Sequence, residues 1–248
     1  MNTTLEVKNL HYHYGQTPVL KGLNLQIRSG ELVAIVGPSG SGKSTLLYLL
    51  GLLAAADSGT IKLLGTDIHH LSDEQLAQFR LFHLGFIFQQ FHLLPKTSVL
   101  ENILLPALYA KDSGRNVEES ILRKRAIDLA EMVGLGERLN YHPNQLSGGQ
   151  QQRVAICRAL MNDPEIILAD EPTGNLDSVS AEQIIDLLKE LNRQQKKTIL
   201  IITHDHDIAQ KCDRIIRIKD GMVVADPGQP HEEVPSTTHE KKKPKFAD

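Results

Sequence analysis

The first part of the chain carries short apolar runs with the alternation expected of β-strands. Residues 5–10, 19–27 and 32–36 predict three strands, and residues 60–65 predict a fourth. The third run ends directly in a glycine-rich segment, and apolar positions at helical spacing follow over residues 43–53. This part of the chain is therefore predicted to combine β-hairpins with one strand–loop–helix unit.

The middle of the chain changes from strand-like to helical patterning. Residues 73–80 show a short helical pattern, and the apolar run at residues 84–88 predicts a buried strand. Between residues 98 and 163, apolar positions recur at helical spacing and strand-like runs disappear. We therefore expect a helical subdomain, at about residues 92–163, inserted into the sheet-forming part of the chain.

Alternating strands and helices return after this insertion. Residues 165–170 and 198–203 predict strands, with a helix between them over residues 181–194. A short helix follows the second of these strands, and strand-like runs follow at residues 214–220 and 222–225. This alternation is typical of βαβ units and therefore predicts a parallel sheet.

The last part of the chain differs in composition from the rest. Residues 226–248 are rich in Pro, Glu, Lys, Ser and Thr and hold almost no apolar side chains. Burial of apolar surface therefore cannot offset the entropy of ordering them. We expect one folded unit over residues 1–225 and a disordered tail over residues 226–248.

Composition and charge exclude several classes of protein. Lys and Arg number 27 against 30 Asp and Glu, a net charge of −3, so no global basic field favours nucleic acid. The longest near-apolar run, residues 46–56, is shorter than the about 18 to 20 residues that a membrane-spanning helix needs. The N-terminus lacks the pattern of a signal peptide, and Cys157 and Cys212 have no partner at disulfide or zinc spacing. We expect an intracellular protein in a reducing compartment that does not bind nucleic acid.

Residues 37–45 carry a phosphate-binding pattern. The segment GPSGSGKST matches G-x-x-x-x-G-K-[ST] between a predicted strand and a predicted helix, the context in which the pattern forms a phosphate-binding loop. Its glycines would let backbone N–H groups turn toward phosphates at the positive end of the helix. Lys43 would contact the β- and γ-phosphates of a nucleotide, and Ser44 would bind Mg²⁺. The residues expected to bind nucleotide here are Gly37, Pro38, Ser39, Gly40, Ser41, Gly42, Lys43, Ser44 and Thr45.

Two carboxylates follow directly after the apolar run at residues 166–169. The carboxyl ends of strands are where α/β sheets bind their ligands. Asp170 suits a contact with Mg²⁺, direct or through water, and Glu171 suits the role of general base for an attacking water. Acidic pairs are also common in surface loops, so this interpretation depends on the nearby phosphate-binding loop.

A second glycine-containing pattern, LSGGQ, occupies residues 146–150. Ser147 can cap a following helix, and the N–H groups of the two glycines would lie at the positive end of that helix. A simple Ser N-cap would explain Ser147 but neither the paired glycines nor the glutamine. The candidate residues of this second anion site are Leu146, Ser147, Gly148, Gly149 and Gln150.

Together these motifs resemble those of the nucleotide-binding subunits of ABC (ATP-binding cassette) transporters, over about residues 5–225. The resemblance implies an α/β fold of the P-loop NTPase type, with a RecA-like parallel sheet core, an antiparallel β subdomain and an inserted α-helical subdomain. It also implies hydrolysis of ATP with Mg²⁺ as cofactor. In that family the LSGGQ signature of one copy closes over the ATP held by a second copy, which implies a head-to-tail dimer.

The resemblance also assigns roles to positions that are uninformative alone. Tyr14 is similar to the aromatic residue that stacks on adenine, with Tyr12 as the competing choice. Gln89 is similar to the glutamine that contacts Mg²⁺ and the attacking water. Asp177 is similar to the acid of the loop that crosses between subunits, and His204 to the histidine that contacts the γ-phosphate. The implied catalytic residues are Lys43, Gln89, Glu171 and His204, and the implied magnesium ligands are Ser44, Gln89 and Asp170.

Within the family, the segments that follow Gly85, Leu146 and Asp170 look like those of lipoprotein-releasing, macrolide- or peptide-exporting and cell-division ATPases. This implies a peripheral subunit at the cytoplasmic face of the inner membrane that powers an export or extrusion complex through transmembrane permease partners. The alternative is a cell-division-type ATPase that transmits force to a periplasmic hydrolase activator and transports nothing. Residues 91–95 are expected to form an apolar socket for the membrane partner, with a hydrophobic loop that covers the core as the alternative.

Overall fold

The computed structural model describes residues 2–112 and 117–228. The strands in these ranges are β1 (Thr3–Tyr14), β2 (Thr17–Arg28), β3 (Leu32–Val36), β4 (Ser58–Leu63), β5 (Thr66–Asp67), β6 (Leu84–Phe88), β7 (Ile166–Asp170), β8 (Thr198–Ile202), β9 (Arg214–Lys219) and β10 (Met222–Ala225). The α-helices are α1 (Lys43–Leu50), α2 (Asp73–His83), α3 (Val99–Asp112), α4 (Glu119–Met132), α5 (Gly148–Leu160), α6 (Ser178–Gln195) and α7 (His206–Gln210). None of these helices is long and apolar enough to cross a lipid bilayer.

The strands form two sheets. Six strands in the order β10-β9-β3-β8-β7-β6 form one sheet, in which the strands from β9 to β6 run parallel and β10 pairs antiparallel with β9. The other four strands, in the order β2-β1-β4-β5, form an antiparallel sheet. The α/β class and the antiparallel subdomain predicted from the sequence are confirmed.

Both faces of the six-stranded sheet are buried. Ile167 and Ala169 of β7 pack with residues of α3, α4, α5 and α6 in one core, whereas Ile166 and Leu168 pack with α1 and the antiparallel sheet in a second. Side chains that alternate along a strand reach opposite faces of the sheet, so both sets must be apolar. This explains why the central strands appear in the sequence as continuous apolar runs.

The inserted helical subdomain is present as α3, α4 and α5, which lie between β6 and β7 in the chain and pack on one another. Its exact boundaries, predicted at about residues 92–163, stay a prediction. The insertion matters for function because α5 begins directly after Ser147, in the LSGGQ pattern.

Two helix boundaries differ from the prediction. The helix expected over residues 43–53 ends at Leu50, and Leu52 adopts a left-handed φ of 57°, which a right-handed helix cannot contain. The helix expected over residues 181–194 begins earlier, at Ser178, because the Asp177 side chain accepts a hydrogen bond from the Ser180 backbone N–H and caps it.

The boundary predicted for the disordered tail is wrong at Asp226. Asp226 is buried and forms a bidentate ion pair with the buried side chain of Arg214, with N···O distances of 2.7 and 2.6 Å. Arg214 also contacts Glu31 at 3.0 Å, and the Gly228 N–H donates to Asp226 at 3.0 Å. An acid in a proline-rich segment could not be matched from sequence with an arginine on β9. The rest of the predicted tail, residues 229–248, lies outside the described residues.

Candidate functional site

The carboxyl ends of four parallel strands meet at one edge of the six-stranded sheet. β3 leads into the loop that begins at Gly37, β6 leads into Gln89, β7 ends at Asp170, and β8 is followed by His204. Ligands bind at this edge in open α/β sheets because the loops that leave the strands converge there. The fold therefore brings together residues that are up to 167 positions apart in the sequence.

The phosphate-binding loop between β3 and α1 depends on glycine. Gly40 and Gly42 adopt φ angles of 75° and 98°, which side-chain-bearing residues rarely take, and a Cβ atom at Gly42 would lie 2.7 Å from Leu20. No side chain caps the N-terminus of α1, and its first turn holds no acidic residue. The positive end of α1 thus remains available to an anion.

Lys43 points its ammonium group into this loop. Its Nζ atom donates hydrogen bonds of 2.9 Å to the carbonyl oxygens of both Gly37 and Pro38. The loop and its lysine therefore form one rigid unit in which a positive charge faces the positive end of α1. This arrangement suits the polyphosphate of a nucleotide, to which lysine binds as a point charge.

Ser44 and Asp170 form the candidate magnesium site. Ser44 Oγ donates to Asp170 Oδ1 at 3.3 Å, so a hydroxyl and a carboxylate converge from α1 and β7. Burial raises the pKa of Asp170, and the charge of Glu171 adds to this, while Ser44 and Lys43 act in the opposite direction. Oxygen donors of this kind are the ligands that Mg²⁺ prefers, so the residues present fit that ion.

Glu171 is held in a strained conformation beside His204. Its φ angle is 47°, in the left-handed region that costs a non-glycine residue free energy unless its surroundings hold it there. Its backbone N–H donates to the Ile202 carbonyl at 2.9 Å, and its Oε1 atom lies 2.9 Å from His204 Nδ1. The His204 side chain is mostly exposed, so the pair faces the open side of the site.

A cavity of about 440 Å³ lies at this site, and only one of the two candidate tyrosines lines it. Tyr14 lines the cavity together with Lys43, Glu171 and His204, and it is exposed. Tyr12 contacts Tyr14 edge-to-face at a centroid distance of 5.1 Å but packs against the core under the antiparallel sheet. The geometry favours Tyr14 as the residue that meets a nucleotide base.

Gln89 does not line this cavity. Its side-chain Nε2 atom donates to Asn175 Oδ1 at 3.2 Å, and Asn175 Nδ2 donates to the Gln89 carbonyl at 2.9 Å. This reciprocal pair links the loop after β6 to the segment that follows Glu171. Sequence reasoning missed the role of Asn175, because its partner lies 86 positions away and no local pattern marks the pair.

The LSGGQ segment forms the N-terminus of α5. Ser147 Oγ accepts from the Gln150 N–H at 3.3 Å, and Gln150 Oε1 accepts from the Ser147 N–H at 3.0 Å, a complete capping box. Cβ atoms at Gly148 and Gly149 would lie 3.3 Å from Leu176 and 3.0 Å from Ser180, respectively. The capping box therefore explains Gln150, contrary to the sequence analysis, and close packing against α6 and the loop before it explains part of the need for glycine.

The expected apolar socket at residues 91–95 is only partly present. Phe91 lies against the LSGGQ helix, with its ring 3.8 Å from where a Gly148 Cβ atom would lie, and the side chain of Leu93 packs against the core. Of these five residues, His92 lines a larger groove of about 980 Å³ between α2, β6, α3 and α5. Arg158 of α5 fixes the segment by donating to the carbonyl oxygens of both Phe91 and His92.

A loop of this geometry, beside a strand that ends in two carboxylates, defines a P-loop nucleoside triphosphatase. Comparison with known proteins then identifies the family. The sequence model of the family described as "ABC transporter" matches residues 20–174, which is more than half of the chain. The chain belongs to the ABC transporter family and is an ATP-binding cassette with ATPase activity.

The relatives are close over most of this chain. It is 51% identical over 209 residues to the macrolide export ATP-binding/permease protein MacB of Rhodopirellula baltica, covering 84% of this chain and 30% of MacB. It is 51% identical over 229 residues to MacB of Pasteurella multocida, covering 90% of this chain and 34% of that protein. The chain thus spans about a third of the length of these curated relatives.

Solved structures of isolated cassettes match in fold and length. The dimeric structure of a post-hydrolysis state of the ATP-binding cassette MJ0796, bound to ADP and Pi, matches with a TM-score of 0.80 and 44% identity, covering 90% of this chain and 97% of that one. CbiO1 from Clostridium perfringens matches with a TM-score of 0.81 and 32% identity, covering 91% and 88%. Both support the P-loop NTPase fold.

Proposed function

We propose that this chain is the ATP-hydrolysing cassette of a membrane export complex, of the kind that extrudes drugs, peptides or lipoproteins. The observation that carries this proposal is that Lys43, Ser44, Glu171 and His204 line one cavity, with Asp170 hydrogen-bonded to Ser44 and Glu171 beside His204. The names of the MacB relatives favour export over the alternative of a force-transmitting cell-division ATPase.

Each residue of the site has a chemical task in this proposal. Lys43 and the glycine-rich loop bind and orient the β- and γ-phosphates of ATP. Ser44 and Asp170 would hold Mg²⁺, which would neutralise charge on the phosphate oxygens. Gln89 pairs with Asn175 outside the cavity and would have to move toward the ion to bind it. Glu171 accepts a proton from the attacking water, and His204 orients the Glu171 carboxylate while it faces the γ-phosphate. Tyr14 stacks on adenine.

Substitution of Glu171 tests this assignment. We expect Glu171→Gln to bind ATP as the parent does but to lose at least about 100-fold in kcat, because an amide of the same shape cannot accept the proton. Glu165→Gln is the matched control, since Glu165 also pairs with a histidine, the partly exposed His83, at 3.0 Å, but at the opposite end of β7. Parent-like turnover by Glu171→Gln, or equal losses in both variants, would contradict the proposed base.

We further infer that the cassette works as a head-to-tail dimer. In this dimer the signature residues Leu146, Ser147, Gly148, Gly149 and Gln150 close over the ATP of a second copy, and the loop that carries Asp177 crosses between the subunits. The dimeric structures of the similar cassette MJ0796 support a dimer. The position of Ser147 at the positive end of α5 supports phosphate as its ligand.

Mixing two inactive variants tests this arrangement. Lys43→Ala removes the phosphate lysine, and Ser147→Asp keeps an N-cap but places a negative charge where the phosphate would bind. Each variant alone should be inactive. An equal mixture should recover about a quarter of the parent rate, because half of the two-fold dimers are mixed and each holds one intact site. No recovery on mixing would contradict contribution of the signature in trans.

The membrane assignment is also a proposal. The relatives named above are ATP-binding/permease proteins, which supports transmembrane permease partners and a peripheral position at the cytoplasmic face of the inner membrane. The groove between α2, β6, α3 and α5 offers an apolar surface that suits a helix of such a partner. Its apolar lining includes Leu53, Leu81, Phe86, Phe88, Leu105 and Pro106.

A further inference from the structure

Gln152 is a buried polar residue on α5 that the roles described above do not use. Its side chain is fully buried on the side of α5 that faces the end of β6. Its Nε2 atom donates to the Pro172 carbonyl oxygen at 2.5 Å and to the Phe88 carbonyl oxygen at 3.4 Å. Pro172 directly follows Glu171, and Phe88 directly precedes Gln89.

The orientation of this amide is fixed by its surroundings. Rotation by half a turn would place Oε1 against two carbonyl oxygens, so the nitrogen must face them. The Oε1 atom is then buried without a hydrogen-bond partner among the described residues. A buried acceptor without a partner is unfavourable for folding, so an apolar residue would serve better if the position only needed filling.

The backbone that Gln152 contacts, next to Glu171, is the part of the site that most needs support from its neighbours. Glu171 holds a left-handed φ of 47° and is followed by a proline, a combination that persists only when neighbouring groups impose it. The Ile202 carbonyl accepts from the Glu171 N–H, and Gln152 donates to the carbonyl of Pro172, the residue that follows Glu171. The Gln89–Asn175 pair closes the ring of contacts between the two loops.

We propose that Gln152 is a positioning residue that sets the placement of Glu171 from the signature helix. It lies about 7.5 Å along α5 from Ser147, at 1.5 Å per residue. A displacement of the N-terminus of α5 therefore reaches the backbone on both sides of the reaction through one side chain. This proposal rests on the assignment of Glu171 as the base.

Gln152→Met tests the proposal, because methionine has a similar length and volume but no donor. We expect kcat for ATP hydrolysis to fall about tenfold while KM for ATP stays within about twofold, since Gln152 lies outside the nucleotide cavity. Gln152→Asn, whose amide is one methylene shorter, should lose kcat in the same way, and it provides the measurement if the methionine variant does not fold.

Asn192→Leu is the matched control. Asn192 is also buried and donates from Nδ2 to two carbonyl oxygens, those of Gly30 and Lys197, each at 2.8 Å, but at the opposite edge of the sheet. It should lower Tm without changing kcat. If Gln152→Met lowers Tm and leaves kcat at the parent value, Gln152 is only structural and the proposal is wrong.

A double substitution separates this proposal from the one on which it rests. In a Glu171→Gln background, Gln152→Met should change the residual rate less than about twofold, because the residue it positions no longer acts as a base. A further tenfold loss would overturn the proposal. A low rate for Glu171→Gln with a parent-like rate for Gln152→Met would refute the role of Gln152 alone. A parent-like rate for Glu171→Gln would refute the base and this role with it.

Discussion

At the scale of single residues, two neighbouring side chains of the same type have different roles because their burial differs. Tyr12 and Tyr14 lie two positions apart on β1 and touch each other. Tyr12 is partly buried against the core under the antiparallel sheet, whereas Tyr14 is 57% exposed at the mouth of the nucleotide cavity. Burial stabilises the fold through Tyr12, and exposure leaves the Tyr14 ring free for stacking. The two residues should therefore respond differently to the same substitution.

We expect Tyr14→Ala to weaken nucleotide binding and Tyr12→Ala to weaken folding. Loss of one aromatic platform under a base typically costs about 1 to 3 kcal/mol, so the Kd for ATP should rise roughly tenfold or more in Tyr14→Ala with little change in Tm. Titration with a fluorescent ATP analogue and thermal unfolding of both variants give the two readouts. A larger rise in Kd for Tyr12→Ala than for Tyr14→Ala would reverse the assignment.

The residues of the site were predictable from sequence where local patterns mark them. Glycines at fixed spacing, followed by Lys43, and acids at the end of an apolar run have a local cause, because strand ends and helix N-termini are set by neighbouring residues. Gln152, Asn175 and Arg158 could not be found in this way. Their partners are main-chain carbonyls or amides 20 to 86 positions distant, which only the folded sheet brings near.

At the scale of elements, the segment after β6 is built as a bridge between the sheet and the inserted helices. Phe91 and His92 adopt left-handed φ angles of 52° and 48°, and Arg158 holds both carbonyls while burial lowers the pKa of its guanidinium. Further along, the buried side chain of Asn102 accepts from the Leu94 N–H at 2.8 Å and donates to Leu94, Thr97 and Ser98. The segment is thus fixed at both ends, which suits a relay between the groove and Gln89.

Substitution of Leu53, at the rim of the groove, should uncouple the cassette from a membrane partner. Leu53 is 49% exposed and touches no residue assigned to catalysis, so Leu53→Glu should leave the ATPase rate of the isolated subunit within about twofold of the parent. A charge at an apolar anchor typically costs about 1 to 4 kcal/mol of binding, enough to abolish stimulation by a permease.

The ATPase rates of the isolated subunit and of the complex with its copurified membrane protein provide the measurement. Ile121→Glu is the control, since Ile121 is 57% exposed on α4, outside the groove. Loss of stimulation in Ile121→Glu but not in Leu53→Glu would move the docking surface to the outer face of α4.

The elements themselves were largely predictable from the sequence. Strands that are buried on both faces appear as continuous apolar runs, and α6, which is buried on one face, shows apolar residues at helical spacing. The errors lie at element ends. After α1 the chain leaves the helical conformation at Leu52, and Gln150 is explained by its hydrogen bonds with Ser147. Contacts of this kind are set by packing between elements or by local geometry, and the hydrophobic pattern carries little information about them.

At the scale of the whole molecule, the two ends of the parallel strands have different roles. Their carboxyl ends form the nucleotide site, and their amino ends contribute to stability. The carboxyl edge carries strained and partly exposed polar groups, whereas the amino edge is closed by Asn192 and by the ion pairs of Arg214 with Asp226 and Glu31. Burial alone would lower the pKa of Arg214, but Asp226 and Glu31 outweigh burial and raise it. The arginine therefore stays charged and needs its partners.

The end of the folded part of the chain is consequently set by Asp226. A chain that ends at Gly228 keeps the ion pair and should melt at the temperature of the parent. A chain that ends at Ala225 leaves Arg214, only 8% exposed, with Glu31 alone. Breaking a buried pair on one side costs roughly 3 kcal/mol, which in a protein of this size lowers Tm by roughly 6 to 12 °C.

Asp226→Asn in the full chain should reproduce that fall, and KM for ATP should be unchanged in all three proteins because the pair lies at the edge opposite the nucleotide. Equal melting temperatures for the chains that end at Ala225 and Gly228 would show that the ion pair does not stabilise the fold.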